Sequence, residues 1–408
     1  MNITIISILL PYPLDSGGAQ AQYNMIDILR KQHNISIIYP ENYHNSNQAL
    51  SKLKELWPEV TFYPFSFLKQ MLYPHFIFSK IERAIKLKLY YKNRNFLIER
   101  ILRPYGYDIS PLFVSFINKI IKKQKSDIIQ IEFYPYLEII NHIPKQIKTV
   151  FIHHELRYVR NERMLNDFHL TKDELHKAYQ IKENEIKLLN KYDAVVTLTD
   201  IDKAILNNDG VNTTIVSSPA AVNTPIKQYK GWNGKIVFIG GAGHGPNREG
   251  IDWLCKNVFS SIDWNGPFKK VSVIIIGGGW HENMFSNIPK NNLTIMGFVP
   301  ELSDAAYGGI LIVPILSGSG MRMKILDGAA LSLPMITTSI GVEGLNFTNE
   351  SSCLIADTAT EFKKALTVLI SDERKRKKIA DNARQVFIKN YSKEALANKR
   401  NSIYNNLL

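Results

Sequence analysis

Two cations, Arg322 and Lys324, stand just behind the glycine-containing run Ser317-Gly-Ser-Gly320, and a carboxylate, Asp327, follows them. The whole segment reads Pro314-Ile-Leu-Ser-Gly-Ser-Gly-Met-Arg-Met-Lys-Ile-Leu-Asp327. The apolar residues ahead of it, Ile310–Ile315, have the length of a buried strand. A helix opening around Gly320 and Met321 would turn free backbone N–H groups and a positive partial charge into the loop, which is how phosphates are held. Glycines let the backbone approach a ligand closely, and a guanidinium with an ammonium suits a diphosphate. Asp327, two turns into such a helix, can accept hydrogen bonds from ribose hydroxyls. Ser319, Gly320, Met321, Arg322, Lys324 and Asp327 are therefore candidate nucleotide ligands. The same spacing also serves a plain strand–loop–helix connection with a solvated arginine and lysine.

Three further places could carry chemistry. Gly17 and Gly18 follow the first apolar run and precede a helical pattern, again an anion-binding arrangement. Gly240-Gly-Ala-Gly-His-Gly-Pro246 follows another apolar run. Read from Gly241, a dinucleotide fingerprint would need glycine at 246, where proline stands, and Gly277-Gly-Gly279 does not continue the fingerprint either. Close backbone approach to a pyrophosphate, through Gly241 and Gly243 with Arg248 nearby, is the better use of that loop. The third place is Phe151-Ile-His-His-Glu155, where a buried strand ends in two histidines. A neutral imidazole there can donate to a sugar hydroxyl or steady developing charge; a structural histidine fits as well. Glu132, ending Ile128–Ile131, points toward the same face and can bind acceptor hydroxyls, or serve as a cap or ion-pair partner. No metal-ligand spacing is present.

These residues need a frame. Strand-length apolar runs alternate with helical patterns from Ile3–Leu10 through Thr214–Ser217, and again from Lys235–Ile239 through Ala359–Leu369. Such alternation with β-branched runs predicts parallel sheets covered on both faces, in two doubly wound domains. Between them Pro, Gly and Asn cluster without apolar periodicity over about 220–232, as in a linker. The domains expected are 1–222 and 233–391. In open α/β sheets ligands sit beyond the carboxyl ends of the strands, and with two facing domains the cleft is the expected site.

The segment Gly318-Ser-Gly-Met-Arg-Met-Lys324 resembles the donor motif of family 4 glycosyltransferases, in the subgroup written Gly-Ser-Gly-x-Arg-x-Lys-x-Leu-Glu. Gly341-Val-Glu-Gly-Leu345, Gly240–Asn247, Phe298-Val-Pro300 and Tyr391-Ser392 resemble further parts of that family, over nearly the whole chain. The resemblance implies the GT-B architecture, two Rossmann-like domains with a C-terminal helix (about 392–408) crossing back to the first, acceptor-side, domain. It implies a retaining enzyme, a nucleotide-diphospho-sugar donor bound mainly by the second domain, and no cofactor or obligatory metal. It sets Gly17 and Gly18 against the donor phosphate and selects His154, rather than His153, as the histidine facing the donor sugar. The family's Glu-x7-Glu pair falls on Ser319 and Asp327, so Asp327 holds the ribose with a side chain one methylene shorter. The implied setting is surface polysaccharide or glycolipid synthesis on a glycan or lipid-linked acceptor. A nucleotide-sugar epimerase needs acid–base carboxylates that are not evident. A catalytically silent binding partner is the reading that the Asp327 departure motivates.

Composition is that of an ordinary globular chain: 408 residues, 45% hydrophobic and 21% charged. The net charge of +13 is spread over both halves and suits anionic partners. Basic and aromatic residues interleave over 69–107, as an anionic membrane surface or a solvated helical pair would need; no nucleic-acid recognition motif accompanies them. Two cysteines form no disulfide framework, the first run lacks a basic leader and a cleavage site, and no run of 18 apolar residues occurs. A cytoplasmic protein, peripheral on the inner face of the cell membrane, is expected.

Overall fold

The computed structural model of the chain describes residues 1–14, 17–41, 46–66, 94–105, 109–166, 168–318 and 321–408. It divides into two compact units, Met1–Ala220 with Ala397–Leu408, and Ala221–Leu396.

The first unit is built on a parallel sheet of strands β1 (Asn2–Ile6), β2 (Asn34–Pro40), β3 (Thr61–Phe65), β4 (Ile128–Glu132), β5 (Lys148–His153), β6 (Ala194–Thr197) and β7 (Thr214–Ser217), in the order β3-β2-β1-β4-β5-β6-β7. The strands are β-branched runs because helices cover both faces; Ile5, Ile37, Ile129, Val150 and Val195 have no exposed surface. Each such side chain contributes about 1.5–3 kcal/mol by leaving water. Strand β3 escaped the periodicity reading. It contains Pro64, which cannot donate to a ladder, and it is tolerated because β3 is an edge strand paired only to β2. Helix Lys172–Leu189 starts at a capping box, Thr171 with Glu174, and helix Pro111–Gln124 at the Ser110 cap. The last turns of helix Lys393–Asn405 belong to this unit: Ile403 and Tyr404 are buried, and His33 shares a 2.8 Å hydrogen bond with Asn401.

The second unit holds a parallel sheet of β8 (Lys235–Ile239), β9 (Ser272–Ile276), β10 (Leu293–Gly297), β11 (Ile310–Val313), β12 (Met335–Thr337) and β13 (Leu354–Ile355), ordered β10-β9-β8-β11-β12-β13. Helix Gly245–Trp253 opens with Pro246 in its first turn and continues through a π turn, Leu254–Val258. Helix Ala359–Ser371 starts at the Thr358–Glu361 capping box, and helix Glu373–Tyr391 at the Asp372 cap. The stretch read as a linker, about 220–232, is hydrogen-bonded to this unit. Lys227 N donates to Ala330 O at 2.8 Å, and Ser332 Oγ donates to Lys227 O at 2.7 Å. Trp232 lies 5.2 Å beneath the Arg376 guanidinium. Proline and asparagine break periodicity without preventing such side-chain and edge contacts.

Cys255 and Cys353 are buried free thiols, pushed up to about 12 by burial. Among the described residues no helix is long and apolar enough to cross a membrane. Most of the basic, aromatic stretch 69–107 lies outside the described residues.

Candidate active site

In the second unit the chain leaves β8 toward β9 and β10 on one side and returns to pair β11 on the other, so the strand order reverses between β8 and β11. At such a reversal the loops at the carboxyl ends part and leave room for a ligand. The loop after β8 carries Gly241 and Gly243, and the loop after β11 carries Arg322 and leads into Lys324. The sheet thus brings together at one edge two candidates that lie some 80 residues apart in the sequence.

Gly240 shows how tightly this corner is built. Its φ is +147°, and a Cβ there would lie 2.5 Å from Asn247 Nδ2 and 2.9 Å from Lys324 Nζ. Its carbonyl accepts the Trp280 indole N–H at 2.7 Å. Below it, Lys324 Nζ donates to Asn247 Oδ1 at 2.7 Å, Asn247 Nδ2 donates to Gly241 O at 2.9 Å, and the ammonium lies 4.5 Å from the Phe238 ring centroid. Burial pushes the Lys324 ammonium down to about 7, with Arg322 adding repulsion and Asp327 opposing. Asp327 is pushed up to about 6 by burial, against a 2.5 Å hydrogen bond from the Thr224 hydroxyl and the attraction of Lys324. Arg322 Nη2 donates to Gly318 O at 3.0 Å. A Cβ on Gly243 would meet nothing within 4 Å, so the loop backbone is open there, while Arg248 Nη2 donates to Ala242 O at 3.0 Å.

Two expectations change. The helix begins at Met323, not around Gly320–Met321, because Arg322 keeps non-helical angles as its N-cap. Asp327 consequently sits one turn into the helix instead of two. Met321 is half-buried just before it, and Ser319 and Gly320 lie outside the described residues. The sequence reading passed over Asn247, Phe238 and Thr224; the only available signal was Pro246, whose place at a helix start puts Asn247 in the first turn.

In the first unit the reversal falls between β1 and β4. Gly17 is exposed at the start of helix Gly17–Leu29. A Cβ on Gly18 would reach to 2.9 Å from the Phe133 ring. Phe133 follows β4 with φ +68°, a region that costs a bulky residue about 1–3 kcal/mol. That backbone seats its ring on the His154 imidazole, with centroids 4.2 Å apart and planes 13° apart. His154 Nε2 lies 2.5 Å from Glu132 Oε2. Gln130 Nε2 donates to Glu132 Oε1 at 2.5 Å. Glu132, read as a ligand for acceptor hydroxyls or as a cap or ion-pair partner, is 3% exposed with both oxygens engaged by side chains. It is a partner of His154, because β4 and β5 are adjacent and their ends share one edge. His153 turns the other way, buried against Glu185 with Nε2 at 2.8 Å from Oε1. Tyr105 donates to the other oxygen of Glu185.

Comparisons with known proteins bear on this arrangement. Residues 233–372 match the family model described as glycosyl transferases group 1. Over 170 residues, 39% of this chain and 43% of the other, the chain is 26% identical to an uncharacterised 44.6 kDa protein in the cps region of Klebsiella pneumoniae. The chain thus matches less than half the length of that relative. Among solved structures it resembles sucrose-phosphate synthase from Thermosynechococcus elongatus, with TM-score 0.70, 14% identity, and coverage of 100% of this chain and 98% of that one. It also resembles HepE from Anabaena in complex with UDP, with TM-score 0.66, 12% identity and full coverage of both chains; HepE is also solved in complex with UDP-glucose. The two sheets and their covering helices are the two-domain α/β fold of GT-B proteins. The similarity to group 1 glycosyl transferases thus falls within the second unit, in the stretch that carries Lys324 and Asn247.

Proposed function

We propose that the protein is a retaining glycosyltransferase that moves a sugar from a nucleoside-diphosphate sugar to a glycan or lipid-linked acceptor in surface polysaccharide or glycolipid synthesis. The observation that carries the reading is the Lys324–Asn247 hydrogen bond at the strand-order reversal of the second unit. It holds an ammonium where the loops after β8 and β11 part, beside Arg322. A leaving diphosphate gathers negative charge in the transition state, and two cations with loop amides stabilise that charge without reorganising. In this reading Gly241, Gly243, Ser319, Gly320 and Met321 lend backbone, and Asp327 accepts from the ribose diol through the oxygen that Thr224 does not use. No metal is obligatory, since protein cations meet the diphosphate. His154 acts on the transferred sugar, and Gly17 and Gly18 offer backbone N–H groups to the donor phosphate, the absent side chain of Gly18 leaving room for the Phe133 ring. No enzyme carboxylate serves as covalent nucleophile, so the acceptor attacks on the leaving-group face. The cps-region relative and the UDP-glucose complex of HepE support the setting and the donor class. The basic stretch 69–107 would meet an anionic membrane surface.

The test is a screen of nucleotide sugars against lipid-linked and free glycan acceptors, with the anomeric configuration of the product read by NMR. Transfer with retention is expected, undiminished by chelators, and Arg322→Ala or Lys324→Ala should abolish it with the fold intact. Full activity in both variants would remove the diphosphate assignment. Conversion of the nucleotide sugar without any acceptor would instead favour an epimerase.

A further inference from the structure

A chain of hydrogen bonds enters the histidine-bearing edge of the first unit from the C-terminal helix, and its direction is fixed by chemistry. Tyr404 and Gln130 meet through the tyrosine hydroxyl and Gln130 Oε1. Arg400, which has only donors, also meets the Tyr404 oxygen, so the phenolic proton goes to Gln130. With its oxygen thus engaged, Gln130 offers its NH2 to Glu132 Oε1 at 2.5 Å; the flipped amide would set oxygen against carboxylate. Glu132, buried at the end of β4, therefore has one carboxylate oxygen left, and His154 Nε2 lies 2.5 Å from it. Two acceptor oxygens facing one amide donor and one imidazole nitrogen require that nitrogen to carry the proton. The other ring nitrogen, Nδ1, is buried and has no partner among the described residues. The stacked Phe133 ring covers one face of the imidazole.

We propose that Glu132 is a positioning residue that locks neutral His154 as the Nε2–H tautomer, so that Nδ1 is presented to the substrate as a hydrogen-bond acceptor for a hydroxyl. This rests on the reading of His154 as a residue that meets substrate, and it reverses the donor role expected from sequence. The hydroxyl donates to Nδ1, and no proton need leave the ring during binding. A substrate that offers a carboxylate or a deoxy carbon at that point gains nothing from the site, whereas one that offers a hydroxyl does. Glu132 thereby selects for a hydroxyl donor on the group His154 meets.

The experiment is long-range proton–nitrogen NMR on the full-length chain labelled with 15N-histidine at mildly alkaline pH, with His154 assigned by its loss in His154→Asn. The expected spectrum has Nε2 protonated and Nδ1 bare. Glu132→Gln leaves a single acceptor oxygen for two donors, so the His154 proton should shift to Nδ1 or divide between the nitrogens. Tyr404→Phe keeps the carboxylate and should leave the tautomer as it is. With UDP-glucose or another donor that turns over, Glu132→Gln should lower kcat about 10- to 100-fold, the loss seen when a metal-ligating histidine loses its carboxylate partner, with little change in donor KM. A wild-type His154 protonated on Nδ1, or a Glu132→Gln spectrum identical to wild type, would overturn the proposal. The wild-type spectrum decides the tautomer even if Glu132→Gln does not fold. It also needs no turnover, so failure of the transferase reading shows separately as absent transfer with the tautomer intact.

Discussion

Lys324 and Asn247 meet at 2.7 Å, joining the helix that follows β11 to the helix that follows β8 beneath a glycine that leaves no space for a side chain. Asn247 is the hinge of this corner, since its oxygen takes the ammonium and its amide holds Gly241 O. Asn247→Ala removes a hydrogen bond to a charged group, worth about 1.5–3 kcal/mol. Donor affinity measured by calorimetry should fall at least about tenfold, a factor worth about 1.4 kcal/mol. Unchanged affinity would show that Lys324 does not depend on Asn247 to meet the diphosphate.

Donor binding should follow a bell in pH. In the proposed reading the ammonium form of Lys324 attracts the diphosphate; its value of about 7 means this form is present below that pH and lost as pH rises through it. In the same reading the ionised Asp327 accepts from ribose; its value of about 6 means the carboxylate is present above that pH and lost as pH falls through it. A nucleotide sugar as probe brings no ionisation of its own into this window. Affinity for UDP-glucose should therefore be highest between about 6 and 7. Lys324→Met should erase the alkaline limb and Asp327→Asn the acid one, and a flat profile in the wild type would contradict both assignments.

Gly250→Ala should destabilise the second unit. The added Cβ would stand 1.9 Å from Pro314 O, a backbone atom at the root of the loop after β11, so helix or loop must move. Overpacking of this kind costs about 1–3 kcal/mol. For a unit of this size that is a fall in melting temperature of roughly 2–4 °C per kcal/mol. Weakened donor binding should accompany it, because the displaced strand end carries the loop to Arg322. A melting temperature equal to wild type would mean that the helix has slack the structure does not show.

The two adjacent histidines should separate by phenotype. His153→Ala leaves Glu185 buried with Tyr105 as its one side-chain hydrogen-bond partner among the described residues, and breaking a buried pair costs about 3–5 kcal/mol. Its loss should appear in chemical denaturation, with transfer retained at permissive temperature. His154→Asn should lose transfer with a smaller change in stability. The opposite pattern would exchange the roles of the two residues.

The strands were legible because burial on both faces demands continuous β-branched runs: Ile128, Ile129 and Ile131 announce β4 without any knowledge of their neighbours. The loop before Met323 was legible as a strand-to-helix connection because Gly318, Arg322 and Lys324 come close behind the apolar run Ile310–Val313. Strand β3 was not, since Pro64 is permitted only by an edge position that the order of strands decides. The Met323 helix start was also hidden, because it depends on the angles Arg322 adopts in the folded loop.

By itself, then, the sequence determined the strand–helix alternation, the two series of strands and the residue types that can face a diphosphate, since these follow from local periodicity and side-chain chemistry. Tertiary structure alone decided which of those residues have partners. Glu132 was free to serve an acceptor until β4 and β5 became neighbours and His154 took its second oxygen. Asn247 was one more helix residue until Lys324, 77 positions away, closed on it. Pairings across strands depend on sheet order, and sheet order is set by which faces bury together, which no single segment encodes.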